Sequence, residues 1–146
     1  MNSSLVCVDA SLLVKLVVDD PLSGQAEALW TDWQRQNISA VAPALMPFEV
    51  TAALRKYVYH ELITREAAQL SLQAALGMGV ILEHSPGLHT RALTLADQFG
   101  WVVTYDAHYL ALAEQLDCPI WTADRRLVNA VHTVFPDVHW LGEVDL

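Results

Sequence analysis

Four carboxylates in this chain stand where apolar segments end or where helices begin. Asp9 directly follows Leu5-Val6-Cys7-Val8, and Asp124 comes two residues after Ile120-Trp121-Thr122. Glu49 and Asp106 fall in the first turns of helical segments that open near Pro47 and Tyr105. Carboxylates brought within a few ångströms repel, and at least one pKa must rise. Mg²⁺ or Mn²⁺ removes that conflict, because hard cations take oxygen ligands and keep several waters. A metal held in this way lowers the pKa of a bound water and stabilises charge on a phosphodiester. Two such ions ~3.5–4 Å apart clamp the attacking and leaving oxygens of an in-line displacement. The chemistry indicated is metal-dependent phosphoryl transfer, with Asp9, Glu49, Asp106 and Asp124 as metal ligands and catalytic groups. Each acid also has a plainer reading. Asp9 or Ser11 can cap the helix that follows, and from Asp9 alone capping and a site role are equally good. Glu49 can serve only the helix dipole, worth about 0.3–1 kcal/mol in a first turn.

The elements that would position these acids follow from the apolar pattern. Leu5–Val8 is a short continuous apolar run, which suits a strand buried on both faces. A helix from Ser11 to Val18 ends at Asp19-Asp20-Pro21. Ser23 is placed to cap a helix reaching about Gln36, with Ala26, Leu29, Trp30 and Trp33 at helical spacing. Trp30 and Trp33 are read as core, with a partner-facing stripe as the minor alternative. Ile38–Val41 is the second strand, and a helix opened by Pro47 runs to about Tyr59, burying Phe48 or Val50. Thr64 can cap a helix through Leu76, ended at Gly77–Gly79, and Val80–Leu82 is the third strand. Leu88–Phe99 is a helix closed by Gly100, while Trp101–Thr104 reads equally as a strand or an extended connection. The Ala- and Leu-rich segment up to Leu116 is helical, and Asp117-Cys118-Pro119 stops it. Ile120–Thr122 and Val138–Trp140 are strands on either side of a short helix over Leu127–His132. Strands alternating with crossover-length helices predict one α/β domain over 1–146, a parallel sheet with helices on both faces. Right-handed crossovers then bring the carboxyl ends of the strands, and all four acids, to one edge, where open α/β sheets bind ligands.

The totals restrict the partners. With 146 residues, 53% of them hydrophobic and 17% charged, the chain can bury a full core. No apolar run reaches the ~18 residues that span a bilayer, and no basic stretch precedes an apolar one at the N-terminus. Cys7 and Cys118 lack metal or redox spacing and read as buried thiols of a reducing, cytoplasmic protein. The net charge of −9 excludes nucleic-acid binding through a broad basic surface. Lys15, Arg55, Lys56, Arg125 and Arg126 flank the acidic segments and could guide phosphates locally, with surface ion pairing as the plainer account. The histidines show no zinc spacing. His108, beside Asp106, is read as a solvent-facing helix residue, and Asp19, Asp20 and Asp97 as solvated acids.

At these acids the chain resembles PIN-domain nucleases, particularly the VapC-type toxin endoribonucleases of bacteria. The resembling segments are Val8-Asp9-Ala10-Ser11, the Glu49 region, Tyr105 to Ala113, and Thr122-Ala123-Asp124-Arg125-Arg126-Leu127. The stretch from Tyr105 to Leu127 is the most specific. The resemblance implies a five-stranded parallel sheet in the order 3-2-1-4-5 and a Mg²⁺- or Mn²⁺-dependent endoribonuclease acting on RNA. It implies Asp9, Glu49, Asp106 and Asp124 as the acidic site, with Ser11 and Thr122 as supporting hydroxyls; Arg125 and Arg126, which directly follow Asp124, join Ser11 and Thr122 as expected substrate-binding residues. It also implies the toxin half of a type II toxin–antitoxin pair, a cognate antitoxin partner, and a homodimer with the Trp30/Trp33 helix as a candidate contact. One departure stands out: many relatives carry an acid two residues after the position of Asp124, where this chain has Arg126, which leaves a second metal site a ligand short.

Two other classes fit the pattern less well. A phosphatase or phosphoacceptor domain is disfavoured, since Asp9 lacks an Asp-x-Asp partner and no Lys ends a late strand. A catalytically silent scaffold of the same fold, used for protein binding, is disfavoured by the presence of all four acids.

Overall fold

A computed structural model describes residues 4–146; the first three residues of the expected domain lie outside the described residues. Five strands form one sheet: β1 (Leu5–Val8), β2 (Ser39–Pro43), β3 (Ile81–Glu83), β4 (Ile120–Thr122) and β5 (Val138–Trp140). All pairings are parallel, in the order β3-β2-β1-β4-β5. This is the order expected. β1 is central, with Cys7 opposite Val41 on one side and Ile120 on the other. Val6, Cys7 and Val8 are buried, as a strand covered on both faces requires.

The helices are α1 (Ala10–Val17), α2 (Ser23–Arg35), α3 (Met46–Tyr59), α4 (Arg65–Leu76), α5 (Gly87–Phe99), α6 (Tyr105–Leu116) and α7 (Arg125–Val131). They pack in two groups on the two faces: α1 with α2, α3 and α4, and α5 with α6, which rests on β1 and β2. Helix α6 buries Ala107 and every residue from Tyr109 to Ala113. Apolar side chains nearly all round a helix are what such a central position demands. Asp106 therefore projects from the first turn of a helix that is firmly packed along most of its length.

Several local expectations are refined. β2 runs to Pro43, two residues past the expected end, and β3 lies one residue later than expected, ending on Glu83. Trp101–Thr104 is an extended connection outside the sheet. Gly100 adopts φ 70° there, a left-handed turn that closes α5 and sends the chain across the surface with Val102 fully exposed. Thr64 caps α4 as predicted, accepting from the Ala67 N–H. Ser23 does not cap α2 through its side chain; its hydroxyl donates to the Val18 carbonyl and accepts from the Asp20 N–H. Asp20 is not a freely solvated acid: it accepts from the Leu22 N–H and pairs with Lys15 at 2.8 Å. That pairing also takes Lys15 away from any phosphate-guiding role. In α3 it is Val50 that is buried, while Phe48 is 79% exposed. Trp33 is buried and Trp30, half-buried, meets it edge-on at 5.8 Å, so the pair belongs to the core.

Candidate active site

The strand order reverses between β1 and β4, and the carboxyl ends of those two strands flank the crevice that such a reversal creates. Asp9 leaves β1 at this point and is 6% exposed. It occupies the position before α1 yet makes no side-chain capping bond. Instead its Oδ2 accepts from the Ser11 hydroxyl at 2.5 Å and from the Thr122 hydroxyl at 2.8 Å. Each hydroxyl has one proton, and both protons go to Asp9. The 3.2 Å approach of the Ser11 and Thr122 oxygens is thus a contact of two donors to one acceptor. Their oxygens in turn accept from backbone: Ser11 Oγ from the Ala123 N–H and Thr122 Oγ1 from the Asp124 N–H, each at 3.0 Å. Two short relays therefore run from the β4–α7 loop through a hydroxyl to the Asp9 carboxylate.

Asp124 does cap: its Oδ1 accepts from the Arg126 N–H at 3.0 Å, opening α7. Glu49 stands half-buried in the first turn of α3, and its Oε1 accepts from the Tyr109 hydroxyl at 2.7 Å. Tyr109 is fully buried and follows Asp106 by three residues on α6, so one face of that helix presents an acid and a holder for another acid. Tyr109 escaped the sequence reading. Its i, i+3 spacing from Asp106 was the available signal, but a tyrosine in an Ala- and Leu-rich helix reads first as core.

The carboxylates lie in one another's field. Burial raises the Asp9 pKa above the usual range, Asp124 adds to the rise, and the Ser11 and Thr122 hydrogen bonds oppose it. Glu49 is pushed up to about 7, by burial first and by Asp9 and Asp106 besides, against the Tyr109 hydrogen bond. Asp106 is pushed up to about 6, by burial, then Asp9 and Asp124, with Arg126 in opposition. As the side chains stand, no group of three or more Asp, Glu, His or Cys among the described residues is placed to hold an ion. The four acids share a field without closing on a single point.

The expected basic residues separate. Arg125 lies with its guanidinium 4.8 Å from the centre of the Trp140 ring, and Arg126, 94% exposed, reaches to 3.7 Å from Asp124 Oδ1. Both follow the carboxyl end of β4, and Trp140 ends β5 beside it. Arg55 leans over the Tyr59 ring instead. Ser11 and Thr122 have their protons committed to Asp9, and Thr122 is fully buried, so the supporting role fits them and direct substrate contact by Thr122 does not. His108 is not a plain solvent-facing residue: it is half-buried, with ring nitrogens against the Thr104 carbonyl and His89.

A family model described as the PIN domain matches residues 6–132. The chain belongs to the PIN-domain family. Ribonuclease VapC1 of Mycobacterium tuberculosis is 34% identical over 128 residues, covering 84% of this chain and 88% of the relative. VapC ribonuclease Mb0985 of Mycobacterium bovis is 30% identical over 126 residues, with the same coverage. Among solved structures, PAE2754 of Pyrobaculum aerophilum superposes with a TM-score of 0.71 at 21% identity, covering 97% of this chain and 93% of that one. The M. tuberculosis toxin VapC20, which cleaves the sarcin-ricin loop, gives 0.67 at 18% identity, covering 89% and 95%. These likenesses fix the fold of this PIN domain.

Two predictions follow from the geometry. Thr122→Val keeps the shape but removes a donor to Asp9 and strands the Asp124 N–H. Urea denaturation should show a loss of about 1–3 kcal/mol, largely restored in Thr122→Ser. An unchanged midpoint would remove Thr122 from the Asp9 relay. The second concerns pH. Glu49 and Asp106 bind protons more tightly in the folded state, with pKa values of about 7 and 6 against ordinary values of 4.5 and 3.8. Between those limits the folded state holds more protons than the unfolded one, so stability falls as pH rises. Metal-free protein should therefore melt progressively lower from about pH 4.5 to 7, and Glu49→Gln with Asp106→Asn should flatten the trend. A melting point that climbs through that window would contradict the shifts.

Proposed function

We propose that this chain is a divalent-metal-dependent endoribonuclease that hydrolyses RNA phosphodiester bonds, and that it acts in the cytoplasm as the toxin of a type II toxin–antitoxin pair. The observation that carries the reading is the gathering of Asp9, Glu49, Asp106 and Asp124 at the β1/β4 switch point, where Asp9, Glu49 and Asp106 have raised proton affinity and no buried cation stands among the described residues. The names of the VapC relatives support the RNA substrate, and the toxin VapC20, which shares the fold, supports the toxin role. A toxin–antitoxin complex from Klebsiella pneumoniae shares the fold, with a TM-score of 0.66 at 16% identity.

An oxygen-only donor set carrying excess negative charge suits Mg²⁺ or Mn²⁺, and Asp9, Glu49, Asp106 and Asp124 are the residues that would hold the ion. Bound there, the ion supplies Lewis-acid charge stabilisation and an activated water. The chain's own residues do the rest. Ser11 and Thr122 keep Asp9 fixed and favour its ionised form. Tyr109 anchors Glu49 through Oε1 and leaves Oε2 for a ligand or a proton. Arg125 and Arg126 offer phosphate contacts at the rim, where a few local cations can act within an acidic protein.

The partners follow the same reading: an antitoxin, and a second copy of the chain in a homodimer. Exposed Phe48, Tyr59, Leu62 and Leu70, on or between α3 and α4, supply apolar surface for such contacts, in place of the inward-turned tryptophans. Light scattering should give a dimer at tens of micromolar, and a monomer there would end the homodimer proposal. No helix among the described residues is long and apolar enough to cross a membrane.

Asp106→Asn tests the enzyme. Without metal the variant should be as stable as the parent or more so by about 1 kcal/mol, roughly one pKa unit of relieved repulsion. In Mg²⁺ the ranking should reverse, because the parent gains more from binding. RNA cleavage in Mg²⁺ or Mn²⁺, absent in EDTA, should fall at least ~10²-fold in the variant. Equal melting shifts for the two proteins on adding Mg²⁺ would remove Asp106 from the metal site, and intact RNA under all conditions would favour a silent scaffold.

A further inference from the structure

A cavity of about 280 Å³ lies beside the acids, and the chemistry above leaves it unused. It opens between the ends of β2 and β3 and the start of α6. Leu45 and Leu88 give it apolar wall, Tyr105 an aromatic ring, and Glu83, His84, Ser85, His89 and His108 its polar side chains. Tyr105 directly precedes Asp106, and Leu45 and Tyr105 also line the adjoining hollow that contains Glu49. A polynucleotide with its scissile phosphate at the acids therefore has a neighbouring nucleotide within reach of this cavity.

Glu83 and the His89–His108 pair present acceptors there. The Thr104 carbonyl can only accept, so the His108 Nδ1 at 2.8 Å from it carries a proton. In a neutral ring His108 Nε2 is then the acceptor, and His89 Nδ1, 3.0 Å away, is the donor. A neutral His89 is left with Nε2 as a lone-pair acceptor. The Glu83 carboxylate is half-buried and makes no hydrogen bond or ion pair with another described residue. A carboxylate beside a lone-pair nitrogen repels a phosphate. It attracts a flat, apolar-faced group with N–H donors along one edge. An unstacked nucleobase is such a group, and single-stranded RNA presents its bases in this way.

We propose that this cavity is a base-recognition subsite that takes one unstacked nucleobase of the RNA and favours guanine. Guanine carries N1–H and the N2 amino group side by side, which one carboxylate can accept together. Adenine and cytosine place an acceptor nitrogen beside their amino group, and uracil places carbonyls on both sides of its single N–H, so each sets a lone pair against Glu83. Tyr105 supplies the ring against which the base stacks, an interaction that tolerates any base and adds affinity without choosing. The subsite rests on the endoribonuclease reading and deepens it by naming what would set sequence preference.

Cleavage of a randomised single-stranded RNA in Mg²⁺ or Mn²⁺, followed by sequencing of the cut ends, tests the subsite. The parent protein should enrich guanine about tenfold at one fixed position near the cut. In Glu83→Gln the enrichment at that position should largely vanish, because the amide offers one acceptor where the carboxylate offered two, and in His89→Ala it should weaken. Direct titration of the metal-free parent protein with the four nucleoside monophosphates should rank guanosine monophosphate first, with the His89 and His108 resonances shifting. Cleavage without base preference near the cut overturns the subsite and leaves the nuclease reading standing, as does a preference that survives both substitutions. Absence of any cleavage overturns both.

Discussion

A buried carboxylate without hydrogen bonds would be among the most costly groups a small domain could carry, and Asp9 is where this fold meets that cost. Two hydroxyl donors converge on one of its oxygens, and each hydroxyl is itself completed by a backbone N–H of the loop after β4. Satisfying Asp9 therefore fixes more than Asp9. It joins the end of β1 to the end of β4 across the switch point of the sheet and sets the path of the chain into α7. Asp124 takes its place from that path. Chains of polarised hydrogen bonds also favour the ionised form, so the network opposes the rise in proton affinity that burial imposes.

The second constraint is charge. Burial and the neighbouring carboxylates, Asp124 included, raise the proton affinity of Asp9, Glu49 and Asp106, and the cation that opposes the rise at Asp106 is Arg126, a side chain almost wholly in solvent. Structural ion pairs in this protein look different: Lys15 meets Asp20 at 2.8 Å, and Arg91 grips Glu114 with two nitrogens. The chain can make tight pairs and does not make them at the switch point. A cluster left in that condition is unfavourable for stability near neutral pH and favourable for taking up a divalent ion, and the two properties have one cause.

Much of this was legible because it depends on short-range pattern. The apolar runs ending in Asp9 and at Thr122, and the Ala- and Leu-rich segment after Asp106, identify two buried strands and a central helix from residue types alone. The order of the strands is different: alternation implied a parallel sheet, while 3-2-1-4-5 came from resemblance. What stayed hidden depends on side chains distant in sequence. Tyr109 holding Glu49 joins residues sixty positions apart, and the His89–His108 pair joins α5 to α6. Neither leaves a periodic trace. Trp101–Thr104 reads as β-prone by composition, yet after the left-handed turn at Gly100 no neighbouring strand is there to pair with it.

Arg126 shows how the site and its solvent boundary are connected. Its guanidinium is 3.7 Å from Asp124, longer than a charge-assisted hydrogen bond, and its side chain is 94% exposed. A pair of that kind contributes about 0–1 kcal/mol, less than the repulsion among half-buried carboxylates in lower dielectric. The arginine therefore moderates Asp106 without neutralising the cluster. Arg125 behaves alike on its other side, resting on the Trp140 face, a contact that holds its position while leaving its N–H groups unspent. Both guanidiniums are thus loosely engaged at the rim. On the proposed reading, an incoming phosphodiester would displace little to bind them and would approach the acids already partly neutralised. In a chain with a net charge of −9, such a reading needs local cations beside the acids, and residues 124–126 set an acid and two arginines side by side.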